Sequence, residues 1–543
     1  RQMCIRDSYL EDATLAEAWP AEIRWTADAN GAGGRFRLLF DYATRPAEAV
    51  RRGFVWDSTW RRDRRLATIR YEADEGQGFA LVHRYSLGYE TGASGRSRLR
   101  SVEQCGPSAC LPPTTFGWQD GAPAFGALVA GPVEGNPGDA ILMDVDGDGA
   151  SDLLVPVGAI GSGRWHLRRT NPAGSGLVGA TAVNTGIART GPAFPLDFDG
   201  DGRRDLLTPG PTNPATWRVH RSTGTGFAAP IDSGVPAAYI TGTATPLDVD
   251  GDGRDDLVYL RDQRVWFRLS TGTGFGPEQP TTVDAVGDGL QMPVVSGLIP
   301  PVDFDGDGRT DLLVRRQVLY SGGPPPYYQG FRSTGTDFVP LFTAAPSWDA
   351  VPLDVNGDGL TDLLLRDAAT YRWVLRTSQG RTLAPPVASG IPLNPATLRV
   401  TDWNGDGRDD LVRDLGTTGF RVHFADDGAA TPFSDTDPAR YADLTGSPKP
   451  SEASLALVDL TGDGFADLLH YRGATARWET RRRTSPRPDL LTRTTDGLGN
   501  TWQVSYQPLA GLSGYVSDAA DGPDDRVLRG GPLVVATAVT ESD

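Results

Sequence analysis

The sequence predicts an all-β protein: a β-propeller of about seven blades with calcium-binding loops, preceded by a β-rich, sandwich-like domain. Three observations predict this fold. An acidic nine-residue motif recurs seven times, at intervals of 48 to 57 residues, in a chain of 543 residues. Apolar runs flank every copy, and glycine and proline make up about a fifth of the chain, as expected for short strands joined by tight turns. A repeat period near 50 residues is typical of propellers and other repeat folds.

The repeated motif has the form D-x-D-G-D-G-x-x-D, and we call its copies loops 1 to 7. They read DVDGDGASD from Asp144, DFDGDGRRD from Asp197, DVDGDGRDD from Asp248, DFDGDGRTD from Asp303, DVNGDGLTD from Asp354, DWNGDGRDD from Asp402 and DLTGDGFAD from Asp459. Position 2 is always apolar, and a Leu-Leu or Leu-Val pair follows every final aspartate. These runs are too short for helices, so each motif is expected to be a loop between two buried strands.

A second strand signal with an aromatic residue near its start recurs after each motif, as in RWHLRRT, TWRVHRSTGTGF and VWFRLSTGTGF. A repeat of about 50 residues holds four strands of about six residues with their loops, which is one propeller blade. Seven blades close into a ring without a long exposed edge, whereas an open array would need capping repeats. A count of six or eight blades stays open, because the two chain ends can share a blade.

The spacing of the aspartates predicts a Ca²⁺ site in each loop. Ca²⁺ takes six to eight oxygens from a flexible loop. Side chains at positions 1, 3, 5 and 9 and the carbonyl at position 7 can supply them, and the glycines at positions 4 and 6 let the backbone curl. Without a cation the crowded carboxylates would repel one another, and some would have to carry protons. Oxygen ligation without His or Cys argues against Zn²⁺ and Cu²⁺, and Mg²⁺ prefers fewer protein oxygens.

The candidate ligands occupy positions 1, 3, 5, 7 and 9 of the seven loops, and the residues at position 7 act through their carbonyls. In chain order they are Asp144, Asp146, Asp148, Ala150, Asp152, Asp197, Asp199, Asp201, Arg203, Asp205, Asp248, Asp250, Asp252, Arg254, Asp256, Asp303, Asp305, Asp307, Arg309, Asp311, Asp354, Asn356, Asp358, Leu360, Asp362, Asp402, Asn404, Asp406, Arg408, Asp410, Asp459, Thr461, Asp463, Phe465 and Asp467. Up to about seven Ca²⁺ ions are therefore expected, with loop 7 the weakest candidate because Thr461 replaces a carboxylate.

The loops have two other interpretations. An EF-hand needs flanking helices and a glutamate at position 12, where these loops have Val155, Thr208, Tyr259, Val314, Leu365, Arg413 and His470. That class is excluded. Seven metal-free Asx-type turns remain the structural alternative.

Composition argues against several function classes. The net charge of −17 disfavours nucleic-acid binding. The sequence contains no run of 18 apolar residues, which a membrane-spanning helix would need. The five histidines lie in strand-like stretches without a nucleophile motif: His83, His166, His220, His423 and His470. Carboxylate clusters that recur seven times favour a structural role, since catalytic pairs normally occur once. The sequence therefore predicts no enzyme.

Three further sets of residues have two interpretations each. The position-7 arginines are interpreted either as solvated loop charges or as partner-recognition residues. They are Arg203, Arg254, Arg309 and Arg408. The repeated tryptophans are interpreted either as core residues or as residues that stack on sugars. They are Trp165, Trp217, Trp266 and Trp373. Cys105 and Cys110 are expected to form a small disulfide loop in an oxidising compartment, or else to stay reduced.

The repeats resemble the FG-GAP/VCBS repeat, the calcium-binding blade module of integrin-α-type propellers, over about residues 135–485. The flanks resemble those of bacterial SpvB-like, insecticidal-toxin TcdB-like and RHS-type proteins. The similar residues include EIRWT, FDYATRP, YSLGYE and GRSRLRSVEQCGPSACLPPTTFGWQ before the repeats, and DLLTRTTDGLGNTWQVSYQPL after them. This resemblance implies an SpvB-like domain at 9–130, a propeller at 131–485 and a truncated TcdB-middle-like segment at 486–543. Residues 1–8, RQMCIRDS, fit nothing downstream and are expected to be an extraneous leader.

The resemblance also implies a function. In the insecticidal toxin complexes the B component has a propeller, which docks on another component, and a hollow β-shell, which encloses a toxic segment. We therefore expect a non-enzymatic, calcium-binding scaffold that docks protein partners, possesses no membrane-spanning segment and is secreted, although no signal peptide is visible. The alternative is a cell-surface adhesin or carbohydrate-binding propeller. The chain is expected to be a fragment of a longer protein.

Overall fold

The structure is a computed structural model that describes most of the chain. The described residues are 4–12, 17–27, 34–46, 50–55, 58–121, 123–133, 140–171, 177, 182–211, 215–237, 245–262, 264–284, 294–317, 325–392, 398–426, 428–512 and 533–542. Within these ranges all regular elements are β-strands, apart from two 3₁₀-helices at Gly473–Thr475 and Leu509–Gly511. In this part of the chain, no helix has the length and apolarity needed to span a membrane.

The strands are numbered along the chain. They are β1 (Cys4–Asp12), β2 (Glu17–Ala27), β3 (Phe36–Thr44), β4 (Arg51–Val55), β5 (Ser58–Arg62), β6 (Arg64–Asp74), β7 (Phe79–Thr91), β8 (Ser97–Cys105), β9 (Thr114–Trp118), β10 (Val129–Val133), β11 (Ile141–Met143), β12 (Asp152–Val157), β13 (Arg164–Arg168), β14 (Val183–Ala188), β15 (Phe194–Leu196), β16 (Asp205–Pro209), β17 (Thr216–His220), β18 (Ile231–Pro236), β19 (Thr245–Leu247), β20 (Asp256–Arg261), β21 (Arg264–Arg268), β22 (Gln279–Asp284), β23 (Val294–Val302), β24 (Asp311–Gln317), β25 (Tyr327–Ser333), β26 (Phe338–Thr343), β27 (Ser347–Leu353), β28 (Asp362–Asp367), β29 (Trp373–Arg376), β30 (Val387–Ala388), β31 (Leu398–Thr401), β32 (Asp410–Asp414), β33 (Phe420–His423), β34 (Tyr441–Asp443), β35 (Ser454–Val458), β36 (Asp467–Arg472), β37 (Arg477–Arg481), β38 (Leu491–Thr495), β39 (Thr501–Pro508) and β40 (Val534–Ser542).

Seven four-stranded antiparallel sheets form the blades of a β-propeller, as the sequence predicts. Blades 1 to 6 take their strands in chain order, from β11–β14 to β31–β34, and blade 7 contains β35, β36 and β37. In every blade the acidic loop joins the first strand to the second. The first strands of neighbouring blades contact one another, as β11 contacts β15 and β15 contacts β19, so the loops form a ring close to the propeller axis.

The ring is closed by a strand from the other end of the repeat region. β10 precedes blade 1 in the chain, yet it pairs antiparallel with β37 as the outermost strand of blade 7. The segment that leads into β10 is also held against the propeller. Phe125 forms a β-bridge with Arg483, and its ring centroid lies 5.3 Å from that of Trp403. Blade 7 therefore combines residues that are separated by about 350 positions in the sequence.

The apolar core lies between adjacent blades. The second strand of each blade begins with at least four consecutive buried residues, because neighbouring blades cover both of its faces. For example, Leu207 and Trp217 of blade 2 pack with Leu257 and Tyr259 of blade 3. The core interpretation of the repeated tryptophans agrees with the structure. Three of them are at most 5 % exposed, and the fourth is partly buried and packs against this cluster: Trp165, Trp217, Trp373 and Trp266.

The segments before and after the propeller share one sheet. Its strand order is β1-β2-β3-β6-β7-β8-β9-β38-β39-β40, and its two parts meet where Phe116 pairs with Thr494. The sequence predicts a sandwich-like domain for the first segment alone. The described residues instead show one ten-stranded sheet and the separate β4–β5 hairpin. Residues 4–8, which the sequence sets apart as part of an extraneous leader, lie in β1 and pair with β2.

Two sets of contacts fix the flanking sheet. Arg98, 6 % exposed, lies 2.8 Å from Glu90, 2.6 Å from Asp120 and 3.4 Å from Asp489, which belongs to the segment that follows the propeller. Cys105 and Cys110 form a disulfide, as one of the two sequence interpretations expects.

The β4–β5 hairpin rests on the acidic-loop side of the propeller. Phe54 lies against Gly306 of loop 4 and against Gly380, leaving no room for a β-carbon at Gly380. The hairpin and the propeller therefore contact each other beside the loops.

Candidate metal centres in the seven loops

Each loop is folded around its first aspartate. In loop 4, Asp303 Oδ1 accepts a 2.7 Å hydrogen bond from the Gly306 amide, and Oδ2 accepts a 3.0 Å bond from the Gly308 amide. Both glycines have positive φ, 68° and 83°, a conformation that L-residues with side chains rarely adopt. The other six loops have the same pair of hydrogen bonds. The glycines at positions 4 and 6 therefore wrap the backbone around one carboxylate.

The aspartate at position 9 is the buried anchor of each loop. Asp311 is 0 % exposed. Its Oδ2 accepts the Phe304 amide at 2.8 Å, and its Oδ1 accepts the Ser333 amide at 2.8 Å. Equivalent bonds occur in all seven loops. This carboxylate joins the loop to the end of the third strand of its own blade.

Carboxylates at positions 1, 3 and 9 come together in loops 1 to 4. In each of these loops one oxygen from each of the three residues lies within 4.8 Å of the other two. The predicted ligands at positions 5 and 7 of these four loops lie outside the groups. The clustered residues are Asp144, Asp146 and Asp152; Asp197, Asp199 and Asp205; Asp248, Asp250 and Asp256; and Asp303, Asp305 and Asp311.

Position 3 supplies the observation that fits a cation. Asp305 is 9 % exposed; its Oδ2 lies 3.4 Å from Arg332 Nη1, but its Oδ1 is buried and has no hydrogen-bond partner. Asp146 Oδ1 and Asp199 Oδ1 are in the same state. A buried carboxylate oxygen without a partner is costly, and a divalent cation among the three carboxylates would satisfy it. The residues present therefore fit Ca²⁺, which prefers oxygen ligands.

Burial raises the pKa of the loop carboxyls. It raises the pKa of Asp205, Asp256 and Asp311 to about 8, and the pKa of Asp144 to about 6. Neighbouring carboxylates of the same loop raise these values further, and backbone amides lower them. In the absence of a cation, several loop carboxyls therefore retain protons near neutral pH.

The position-7 arginines pair within their own loops. Arg203, Arg254 and Arg309 each form an ion pair with the position-5 aspartate two residues earlier, and Arg408 pairs with Asp406 in the same way. Neither sequence interpretation, solvated charge or partner recognition, predicted this pairing. For the position-5 carboxylates to serve as ligands, as the sequence predicts, these pairs would have to rearrange.

Loops 5 to 7 contain fewer carboxylates and no three-carboxylate group of this kind among their described residues. In loop 5, Asn356 Nδ2 donates a 3.0 Å hydrogen bond to Asp358 Oδ2, and Asn404 and Asp406 form the same bond in loop 6 at 3.1 Å. In loop 7, Thr461 Oγ1 donates to Asp459 Oδ1 at 3.2 Å. The side chains at position 3 thus turn to partners within the loop.

Comparison with known families agrees with this arrangement. The FG-GAP-like repeat model matches residues 197–258, 248–314 and 354–412, and the model of the insecticide toxin TcdB middle/N-terminal region matches residues 425–542. The chain therefore contains FG-GAP-like repeats and a region similar to the insecticide toxin TcdB middle/N-terminal region. No curated protein sequence matches it.

Solved toxin-complex structures are similar in fold to this chain. The Photorhabdus luminescens Tc holotoxin pore matches with a TM-score of 0.51 and 17% identity, covering 94% of this chain and 24% of that one. TcdB2-TccC3 without the hypervariable C-terminal region matches with a TM-score of 0.53 and 16% identity, covering 99% and 26%. TcdB2-TccC3-Cdc42 matches with a TM-score of 0.51 and 16% identity, covering 94% and 24%. The chain spans about a quarter of the length of these relatives.

Sequence reasoning missed a set of serines beside the loops. Four blades have a serine whose amide donates to the position-9 aspartate, and these residues are Ser222, Ser270, Ser333 and Ser378. A signal was present, because each serine begins an S-x-G turn such as the STGTG repeats. Those turns were interpreted only as a repeat feature.

Proposed function

We propose that this chain is the calcium-loaded, non-enzymatic scaffold section of a secreted toxin complex, and that its propeller docks protein components of that complex. The observation that supports calcium most strongly is Asp305: a carboxylate nine-tenths buried, with one oxygen unpartnered, inside a group of three carboxylates. The observation that supports the toxin scaffold is the TcdB-type region over residues 425–542.

Charge supports a divalent ion in loops 1 to 4. Three carboxylates within 4.8 Å of one another cannot all ionise without strong repulsion, and a bound Ca²⁺ removes that repulsion. Positions 1, 3 and 9 would hold the ion, and the position-7 carbonyl and position-5 carboxylate would complete its oxygen shell. Loops 5 to 7 have an amide or hydroxyl at position 3, so we propose weaker binding there, for a total of up to seven ions.

The histidines support a role without catalysis. His220, His423 and His470 are at most 9 % exposed, and burial lowers the pKa of each to about 4. They are therefore neutral core residues that do not reach substrate. Secretion agrees with the Cys105–Cys110 disulfide and with calcium modules that fill at extracellular concentrations of about 10⁻⁴–10⁻³ M.

The metal proposal is tested by calcium titration of purified protein and of two aspartate variants. Asp305→Asn removes one charged ligand while its shape is kept, so we expect one fewer tightly bound Ca²⁺. Asp262→Asn is the matched control, because Asp262 is exposed in a turn outside the loops, and it should bind as many ions as the wild type. A wild-type protein that binds no Ca²⁺ at millimolar concentration contradicts the metal proposal.

The docking proposal is tested by binding. The TcdB2-TccC3 structures contain a second toxin component, so a TccC3-type polypeptide is the partner to measure by surface plasmon resonance. We expect saturable binding in calcium. An absence of binding to any such component, together with binding to glycans, would favour the adhesin alternative. The repeated tryptophans do not support that alternative, because they are core residues.

A further inference from the structure

The seven loops are hydrogen-bonded to one another around the ring. At six junctions the amide at position 8 of one loop donates to the carbonyl at position 1 of the preceding loop. These bonds, 2.6 to 2.8 Å long, are Arg204 to Asp144, Asp255 to Asp197, Thr310 to Asp248, Thr361 to Asp303, Asp409 to Asp354, and Ser151 to Asp459. The last of them joins loop 1 to loop 7 and so crosses the closure of the propeller. The residue at position 1 is a predicted ligand, so every bond ends on a metal-binding residue.

A second set of bonds is made by the four serines that follow the third strands. The Ser333 amide donates to Asp311 of loop 4, and its hydroxyl donates a 2.6 Å bond to the Val249 carbonyl of loop 3. Ser222, Ser270 and Ser378 make the same two contacts with their own loop and the preceding one. All four are at most 6 % exposed. Each serine therefore joins the position-9 carboxylate of one loop to the position-2 carbonyl of another.

The remaining junctions use other side chains. Between loops 5 and 6, Asp409 Oδ2 accepts a 2.8 Å bond from the Asp354 amide. Between loops 6 and 7, Arg483 occupies the place of the serine: its amide donates to Asp467 and its guanidinium donates to the Trp403 carbonyl. The connected arc from loop 1 to loop 7 is thus continuous in the described residues.

We propose that the loops bind Ca²⁺ as a coupled ring, and that Ser222, Ser270, Ser333 and Ser378 are positioning residues that transmit the order of one loop to the next. This inference rests on the proposed calcium function and adds to it a positive cooperativity. An ion that orders one loop fixes the position-1 carbonyl and the position-2 carbonyl to which its neighbour is bonded. The neighbour then loses less conformational freedom when it binds its own ion, so it binds more tightly.

Cooperativity is tested by titrating the whole chain with Ca²⁺ and measuring binding by isothermal titration calorimetry. We expect a Hill coefficient above one for the wild type. Asp250→Asn changes a ligand of loop 3 only. It should nevertheless lower the Ca²⁺ affinity of the other loops by about five-fold or more, because the coupling is reciprocal. Independent sites would instead show a Hill coefficient of one or less, because loops 5 to 7 bind more weakly than loops 1 to 4. The six remaining sites of Asp250→Asn would then titrate as before. That result overturns the coupling while the calcium function stands.

The positioning role of the four serines is tested by Ser333→Ala, alone and in combination with alanine at Ser222, Ser270 and Ser378. The variants should still fill their sites at saturating Ca²⁺, but with a Hill coefficient closer to one and a higher midpoint. Ser333→Thr should resemble Ser333→Ala, since Thr170, which occupies the equivalent place in blade 1, donates its hydroxyl to the Ser151 carbonyl of its own loop. If the combined variant fails to fold, the comparison of Ser333→Ala with the wild type decides the question by itself.

The matched control is Ser233→Ala, since Ser233 is 3 % exposed but lies on the outermost strand of blade 2, away from the loops. Its Hill coefficient should equal that of the wild type. If Ser333→Ala and the combined variant bind Ca²⁺ with unchanged cooperativity, the assigned role of the serines is overturned. A wild type that binds no Ca²⁺ contradicts the proposed function itself, and the coupling with it.

Discussion

Arg483 Nη1 donates a 2.7 Å hydrogen bond to the backbone carbonyl of Trp403. The bond crosses from blade 7 to loop 6, and Arg483 is only 5 % exposed. Its Nε donates to Ser485 Oγ at 2.7 Å, and its guanidinium carbon lies 4.0 Å from the centroid of the Phe465 ring in loop 7. One buried cation thus joins the last two loops beside the point where the propeller closes.

Replacing Arg483 with alanine should therefore destabilise the protein by about 3 kcal/mol, because a hydrogen-bonded charge and the packing of its stem are lost and a buried carbonyl loses a partner. Chemical denaturation measures the free energy of unfolding. Arg481→Ala is not a neutral comparison, since Arg481 contacts Gly126 and Thr445. Arg372→Ala is a better control, because Arg372 is exposed in the turn that precedes β29 of blade 5. Equal stability of Arg483→Ala and the control would contradict a structural role for this cation.

The sequence predicted what a local repeat can encode. The period, the apolar pairs after each Asp and the glycines at positions 4 and 6 define the strand-loop-strand unit, and its seven copies predict seven blades. Pairings between distant segments have no such signal. Nothing local in Val129–Val133 indicates that it completes blade 7, or in Leu491–Thr495 that it pairs with β9. The ion pair between Arg254 and Asp252 depends on side-chain conformations, which the motif does not specify.

Removal of calcium should lower the melting temperature. A ligand that binds only the folded state stabilises it by about 2.7 kcal/mol per site when its concentration is 100 times its dissociation constant. Differential scanning calorimetry in millimolar Ca²⁺ and in excess EGTA measures the effect. Mg²⁺ at the same concentration should restore little of the lost stability, since it prefers to keep its own waters. A melting curve unaffected by EGTA would contradict a stabilising role of the ion.

Arg98→Ala should loosen the flanking sheet without unfolding the propeller. Arg98 lies within 3.4 Å of carboxylates on both sides of the β9–β38 junction, so its loss leaves the partly buried Asp489 without this cation. Hydrogen–deuterium exchange should rise in β9 and β38 and stay unchanged in the blades. Arg100→Ala, an exposed position on the same strand, is the matched control. Faster exchange throughout the blades would show that the sheet and the propeller unfold as one unit.

The metal-free protein should lose stability as the pH rises from about 7 to about 8.5. Burial raises the pKa of Asp205, Asp256 and Asp311 to about 8 in the folded state, whereas in the unfolded chain these groups ionise near their ordinary pKa of 3.8. Unfolding in this range therefore releases protons, and the free energy of unfolding falls with increasing pH. The buried histidines do not interfere, because His220, His423 and His470 have folded pKa values of about 4 and are neutral in both states above about pH 7.

Calcium should remove this pH dependence, and its binding should release protons from the same carboxyls, because the ion replaces the proton as the partner of each carboxylate. Thermal melts in EGTA and in Ca²⁺, at several pH values, measure the first effect. Calorimetric titration in buffers of different ionisation enthalpy measures the second. Asp305→Asn should release fewer protons than the wild type if its loop no longer binds the ion. A metal-free protein whose stability is constant or rises between about pH 7 and about pH 8.5 would show that these carboxyls are already ionised in the folded state, and that the crowding which favours a cation is relieved in some other way.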